Sequence, residues 1–139
     1  MKFQYWTVSG VTDSRGKMVK RPIIELELTG RDGKKNNFTG LIDSGADTTM
    51  LNIQYADFLG KKLDDKNTRN IMGVANGTVP VYVSTFKFRI KAMGEEIEVP
   101  AWFVDSSNVD ILLGQEVFFE TFRVKFEKDH DTFELNKVK

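Results

Sequence analysis

Alternation of apolar and polar positions dominates this chain. Ile24, Leu26 and Leu28 alternate with Glu25, Glu27 and Thr29; Phe122, Val124 and Phe126 alternate with Arg123, Lys125 and Glu127; Phe133 and Leu135 alternate with Glu134 and Asn136. A period of two turns one set of side chains into a core and the other into water, so each run predicts a strand. Phe3 to Val11 and Arg21 to Leu28 are expected to form a hairpin across the polar turn Asp13-Ser14-Arg15-Gly16, and Arg31-Asp32-Gly33-Lys34 supplies the next reversal. Between Thr78 and Ile90 the apolar positions are first Val79, Val81 and Val83, then Phe86, Phe88 and Ile90. That shift of one residue predicts a bulge or a twist in a long hairpin arm. Gly94 turns the arm into Ile97 to Val104, where Pro100 argues for an edge or irregular strand. Phe38 to Ile42 and Val109 to Leu113 read as buried strands, and a turn from Lys128 to Asp131 closes a last hairpin. Two short helices complete the pattern: one capped by Asn52, running to Leu59 and stopped by Gly60, and one from Gln115 to Glu120.

The chain has 139 residues, room for one domain with a real core. Its 20 Lys and Arg balance 20 Asp and Glu, so no global field draws it to nucleic acid or an anionic membrane. The absence of cysteine excludes disulfides, thiolate nucleophiles and cysteine-based zinc sites, and fits a reducing compartment. The Met1 to Trp6 start lacks the apolar core of a secretory signal, and no apolar run is long enough to span a bilayer. These features lead us to expect a soluble, cytoplasmic protein.

The catalytic inventory is short. A serine triad would need His130, the only histidine, as its base, yet His130 sits in a charged turn between Asp129 and Asp131. Asp64-Asp65 and Asp129-x-Asp131 do not continue into the spaced oxygen ligands of a calcium loop, and Gly73-x-x-x-Gly77 lacks the lysine and hydroxyl of a phosphate loop. What remains is the carboxylate in Leu41-Ile42-Asp43-Ser44-Gly45-Ala46-Asp47. Two apolar residues carry Asp43 to the end of a buried strand, where an unsupported charge is costly. Ser44 and Gly45 offer it a hydroxyl and an approachable backbone N–H. Taken alone, Asp-Ser-Gly is also an ordinary turn.

The wider context is more specific. Leu41 to Thr48, followed much later by Asp110-Ile111-Leu112-Leu113-Gly114, resembles the two signatures of the retroviral-type aspartic proteases, the retropepsin family. Between them, Ile71-Met72-Gly73-Val74-Ala75-Asn76-Gly77 falls where that family has its flap, a glycine-rich hairpin tip that closes over substrate. The resemblance implies an all-β fold, the closed β-barrel-like acid-protease domain with one or two short helices, as a single domain over residues 1–139. It also implies a homodimer, because the chain has one Asp-Ser-Gly triplet and the family's site needs two. Two carboxyls held close together share a proton: one activates water while the other donates to the developing oxyanion of a polypeptide substrate, without metal or other cofactor.

By the same resemblance Asp43 is catalytic and Ser44 and Gly45 support the active-site loop. Ala46, Asp47, Leu112 and the flap residues Gly73, Val74, Ala75 and Asn76 line the substrate cleft. Departures from the family are equally specific. Gln115 stands where retroviral members commonly have an arginine paired with the acid matching Asp47, β-branched Val74 and Asn76 replace frequent glycines at the flap tip, and Glu127 to Lys139 is an extension. Two other readings stay open at this point: a non-catalytic peptide-binding or dimerisation module on the acid-protease fold, and a structural domain in which Asp43 only satisfies a turn.

Overall fold

The computed structural model describes residues 1–72 and 77–139, with Met72 by its backbone alone. The expected first hairpin forms, but each arm is divided. Lys2–Gln4 (β1) and Trp6–Thr12 (β2) share the first arm, and Met18–Arg21 (β3) and Ile23–Thr29 (β4) share the second. Pro22 separates β3 from β4, since a residue without an N–H cannot continue a ladder on that side. Only β2 and β3 pair with each other; β1 turns away to the C-terminal strand and β4 enters the main sheet. The turn between β2 and β3 is held by Asp13, whose Oδ1 accepts the N–H groups of Arg15 and Lys17.

The main sheet adds Lys35–Ile42 (β5), Thr49–Asn52 (β6), Thr68–Met72 (β7), Thr78–Ile90 (β8), Glu95–Val104 (β9) and Ile111–Leu113 (β10). Its strand order is β4-β5-β10-β6-β9-β8-β7, and β4 also pairs with β8 through Leu26↔Ile90 and Glu27↔Arg89. Hydrogen bonding therefore runs in a ring from β4 back to β4, the closed arrangement that the family resemblance implied. Ile24, Leu26 and Leu28 meet Phe86, Phe88 and Phe103 inside the ring.

The phase shift in β8 involves no bulge against β9. Its register with β9 is unbroken from Val81↔Val104 to Ile90↔Glu95. What changes is the neighbour on the other side: β7 along Thr68↔Tyr82 to Met72↔Thr78, then β4 at Ile90. Pro100 is likewise explained by a change of neighbours. The strand is regular through Pro100↔Thr85, but β6 joins its other side only from Thr49↔Ala101 onward. Pro100 thus sits just outside the doubly paired part, where a missing N–H costs least.

Of the two helices, Tyr55–Leu59 (α1) starts later than Asn52 because Asn52 ends β6; its Oδ1 still accepts the Gln54 N–H, and Gly60 closes the helix at φ 69°. The second, Phe118–Thr121 (α2), packs Phe118 on Phe88 and Phe122. Phe122–Glu127 (β11) and Thr132–Lys137 (β12) form the expected last hairpin, and β1 adds to β12 in the order β1-β12-β11.

Asp131 ties this small sheet to the β2–β3 ribbon. Its carboxylate accepts from Lys128 Nζ and Lys20 Nζ, each at 3.0 Å, and these two bonds hold its pKa below the ordinary 3.8. A depressed carboxylate pKa contributes stability above its unfolded value and loses it as pH falls through the folded value. Acidification from about pH 5 to about pH 2.5 should therefore lower the urea midpoint of the parent protein more than that of Asp131→Asn. Parallel midpoint curves for the two proteins would contradict this role of Asp131.

Candidate active site

The site is built at the end of β5. Ile42, 3% exposed, is the last core residue before Asp43. β10 lies alongside in parallel, with Leu112↔Leu41 and Leu113↔Ile42, and the Asp43 N–H donates to the Leu113 carbonyl at 2.9 Å. A parallel neighbour on one side and the reversal into β6 on the other leave Asp43 at the mouth of a tight loop. The Gly45 N–H donates to Asp43 Oδ1 at 2.9 Å, and the Ala46 N–H donates to the Asp43 carbonyl at 3.2 Å. The expected backbone support is present. Asp43 itself is half-buried, whereas Ser44 is exposed and its hydroxyl has no hydrogen-bond partner among the described residues.

The segment after β10 braces the loop from beneath. The Gln115 and Glu116 N–H groups donate to the Ala46 and Asp47 carbonyls at 2.8 and 2.9 Å. Gly114 N–H donates to Thr49 Oγ1 at 3.1 Å, in a place with no space for a side chain. The Gln115 carboxamide Nε2 donates to the Ser44 carbonyl, one residue after the candidate acid. Its neutral amide thus holds the loop backbone, at the position where retroviral members commonly have an arginine paired with the acid matching Asp47. Asp47 is exposed and forms no ion pair among the described residues. It lines an open groove of 560 Å³ with Thr48, Gln115, Glu116, Phe119 and Glu120.

Of the site residues expected from sequence, the loop-support residues Ser44 and Gly45 and the cleft residues Ala46 and Asp47 follow Asp43 in one loop. Leu112 is half-buried at the centre of β10, between Leu41 of β5 and Met50 of β6. Gly73, Val74, Ala75 and Asn76 lie outside the described residues; β7 and β8 pair up to Met72↔Thr78 on either side of them.

Several contributors escaped the sequence reading. Thr49, 0% exposed, brings a buried hydroxyl that must find a partner, and Gly114 supplies it. Asn52 staples the loop before β10, donating from Nδ2 to the Ser106 and Val109 carbonyls at 2.9 and 3.0 Å. Tyr55 donates its hydroxyl to Asp110, and burial followed by that bond raises the phenol pKa. Asp110 thereby anchors α1 beside the second signature. The signal for Thr49 was visible, a pair of hydroxyls opening an otherwise buried strand; Asn52 and Tyr55 depend on partners more than 50 residues away. His130 is exposed in the β11–β12 turn with Asp129 3.2 Å away, and no group of metal-ligating side chains occurs among the described residues.

The comparisons with known proteins agree with this geometry. The family model described as aspartyl protease matches residues 25–117, a span holding the Asp43 loop, β10 and Gly114. No curated protein matches the chain. Among solved structures, a retropepsin-like aspartic protease from Rickettsia conorii aligns with a TM-score of 0.58 and 20% identity, over 96% of this chain and 97% of that one. At that identity the likeness speaks for the fold, while the family match covers well over half of the sequence. The chain belongs to the aspartyl protease family, and its fold is similar to that of a retropepsin-like member.

Proposed function

We propose that this chain, as a single domain over residues 1–139, is an aspartic endopeptidase active as a homodimer, with one Asp43 from each copy forming the catalytic pair. The observation that carries the reading is the Asp43 loop: a half-buried carboxyl at a strand end, oriented by the Gly45 N–H and braced by the Gly114–Glu116 segment. Such rigidity is what proton transfer between two carboxyls and a water demands.

The ionised carboxyl takes a proton from water, and the water oxygen forms a bond to the peptide carbonyl carbon. The protonated carboxyl donates to the carbonyl oxygen as it becomes an oxyanion. Collapse re-forms the carbonyl and breaks the C–N bond, and the leaving amine takes up a proton from the pair. No covalent enzyme intermediate or cofactor is required. Ser44 holds the two loops together, Gly45 admits the substrate backbone at close range, and Ala46, Asp47 and Leu112 border the cleft. Gly73, Val74, Ala75 and Asn76 cover it from the flap. The substrate is an extended polypeptide read by main-chain bonds and alternating pockets. The charge balance suits neither nucleic acid nor a membrane surface, and the cysteine-free composition suits a cytoplasmic setting.

Dilution tests the symmetric site. Cleavage of a peptide library, measured across a concentration series in which sedimentation follows the monomer–dimer equilibrium, should fall faster than linearly with protein as dimers dissociate. Constant activity per chain in solutions shown to be monomeric would overturn the reading.

A further inference from the structure

One peptide unit of the Asp43 loop is held from both ends. The Gln115 carboxamide donates from Nε2 to the Ser44 carbonyl, and the Gly45 N–H donates to Asp43 Oδ1 at 2.9 Å. That carbonyl and that N–H belong to the same peptide bond, the one joining Ser44 to Gly45. In a planar trans peptide the C=O and N–H point in opposite directions, so Gln115 stands at one end of the plane and the Asp43 carboxylate at the other.

This plane is the one in the loop that turns over most easily. A flip rotates ψ of the residue before it and φ of the residue after it, and a glycine in the second place accepts φ of either sign. Flipped, the plane would present the Ser44 oxygen to the Asp43 carboxylate, and the acid would exchange its hydrogen bond from Gly45 for a repulsion. The backbone bonds of the loop hold the planes on either side. Ala46 N–H donates to the Asp43 carbonyl, and the Gln115 and Glu116 N–H groups donate to the Ala46 and Asp47 carbonyls. Among the described residues, the Gln115 side chain is what holds the Ser44 oxygen. A bond accepted by a carbonyl also polarises its peptide and strengthens the N–H at the far end as a donor.

We infer that Gln115 is a positioning residue for the reaction: its carboxamide locks the Ser44–Gly45 peptide in the orientation that aims the Gly45 N–H at Asp43. This role rests on the reading of Asp43 as the catalytic acid and adds the device that keeps the acid aimed. A neutral amide does so without placing a fixed charge beside two carboxyls that must share one proton.

Two substitutions of the same length test it. Gln115→Met keeps the volume and the backbone bonds but has no N–H to donate, and Gln115→Glu can donate only when its carboxyl is protonated. Gln115 is exposed, so both variants should fold and sediment as the parent does. For Gln115→Met, kcat should fall by about tenfold or more with KM within about twofold, because the aim of the acid is lost and no substrate contact is. Gln115→Glu should show the same loss near neutrality. Relative to the parent at the same pH, it should recover as pH falls through the ordinary glutamate value of about 4.3, where the carboxyl regains a donor. The titratable groups around position 115 are the carboxyls of Asp43 and Asp47 in the loop and of Glu116 and Glu120 on its own segment, and no cation lines that groove. They move the recovery to higher pH. Gln115→Met, with nothing to titrate, should keep a constant ratio to the parent over the same range. Parent-like kcat in Gln115→Met, a loss confined to KM, or no acid recovery in Gln115→Glu would each overturn the inference. Amide exchange at Gly45, followed by NMR, separates this role from the protease reading. It should be faster in Gln115→Met by about tenfold whether or not the protein cleaves peptides. Faster exchange without Asp43-dependent cleavage removes the protease reading and keeps the lock; equal exchange with such cleavage keeps the protease and removes the lock.

Discussion

Asp43→Asn is expected to reduce peptide cleavage by at least about 10³-fold while leaving the dimer and its melting temperature nearly unchanged. The side chain is half-buried at the loop mouth, and its described hydrogen bond is accepted by Oδ1 from the Gly45 N–H. An asparagine oxygen can accept the same bond, so the loop keeps its shape. What the amide cannot do is take a proton from water or share one with a second carboxyl, and both steps of the proposed reaction need that exchange. A variant that sediments as the parent does and still cleaves at a comparable rate would place the chemistry elsewhere. This substitution is a sharper probe than Asp43→Ala, which would also remove the acceptor for Gly45.

Gly114→Ala should be the most damaging single-methyl change in the site. A Cβ built there would lie 2.5 Å from the Thr48 carbonyl carbon, 2.6 Å from its oxygen and 2.8 Å from the Ala46 oxygen. All three are backbone atoms, so no side chain can rotate away. Relief requires β10 and the catalytic loop to separate, at the expense of the Gly114–Thr49 and Gln115–Ala46 bonds. Overpacking of this kind costs about 3 kcal/mol, corresponding to a loss of roughly 10 °C in Tm for a domain of this size. Residual folded protein should also cleave more slowly by about 10²-fold, because a shift of about 1 Å misaligns the carboxyl. Gly94→Ala makes a useful contrast. Gly94 has φ 72° in the β8–β9 turn with open space around it, so its alanine variant should lose only about 1 kcal/mol and retain activity. Equal effects at the two positions would contradict the proposed brace.

Most of this architecture was legible in the sequence because its strands carry their register with them. Ile24-x-Leu26-x-Leu28 and Phe122-x-Val124-x-Phe126 each declare which face is buried, and Gly33, Gly60 and Gly94 mark their turns with positive φ. The candidate acid was legible for a related reason, since an aspartate following Leu41 and Ile42 at a strand end needs the support that Ser44-Gly45 suggests. Features set by distant partners were not legible. Pro100 looked like an edge marker because nothing local reveals that β6 joins β9 only at Ala101. The continuous strand expected from Phe3 to Val11 breaks at Tyr5 because β1 has a better partner in β12, more than 120 residues away. Gln115 read as a lost arginine; its use as a donor to the Ser44 carbonyl is visible only once β10 lies against the loop.

Mixing parent and Asp43→Asn chains measures most directly whether the active unit takes one acid from each of two copies. If both acids are needed, only dimers of two parent chains cleave. Under random reassortment in an equal mixture, activity should fall to about one quarter of that of the same total amount of parent protein. A fall to about one half, tracking the number of parent chains, would show that each chain cleaves by itself and would contradict a shared site.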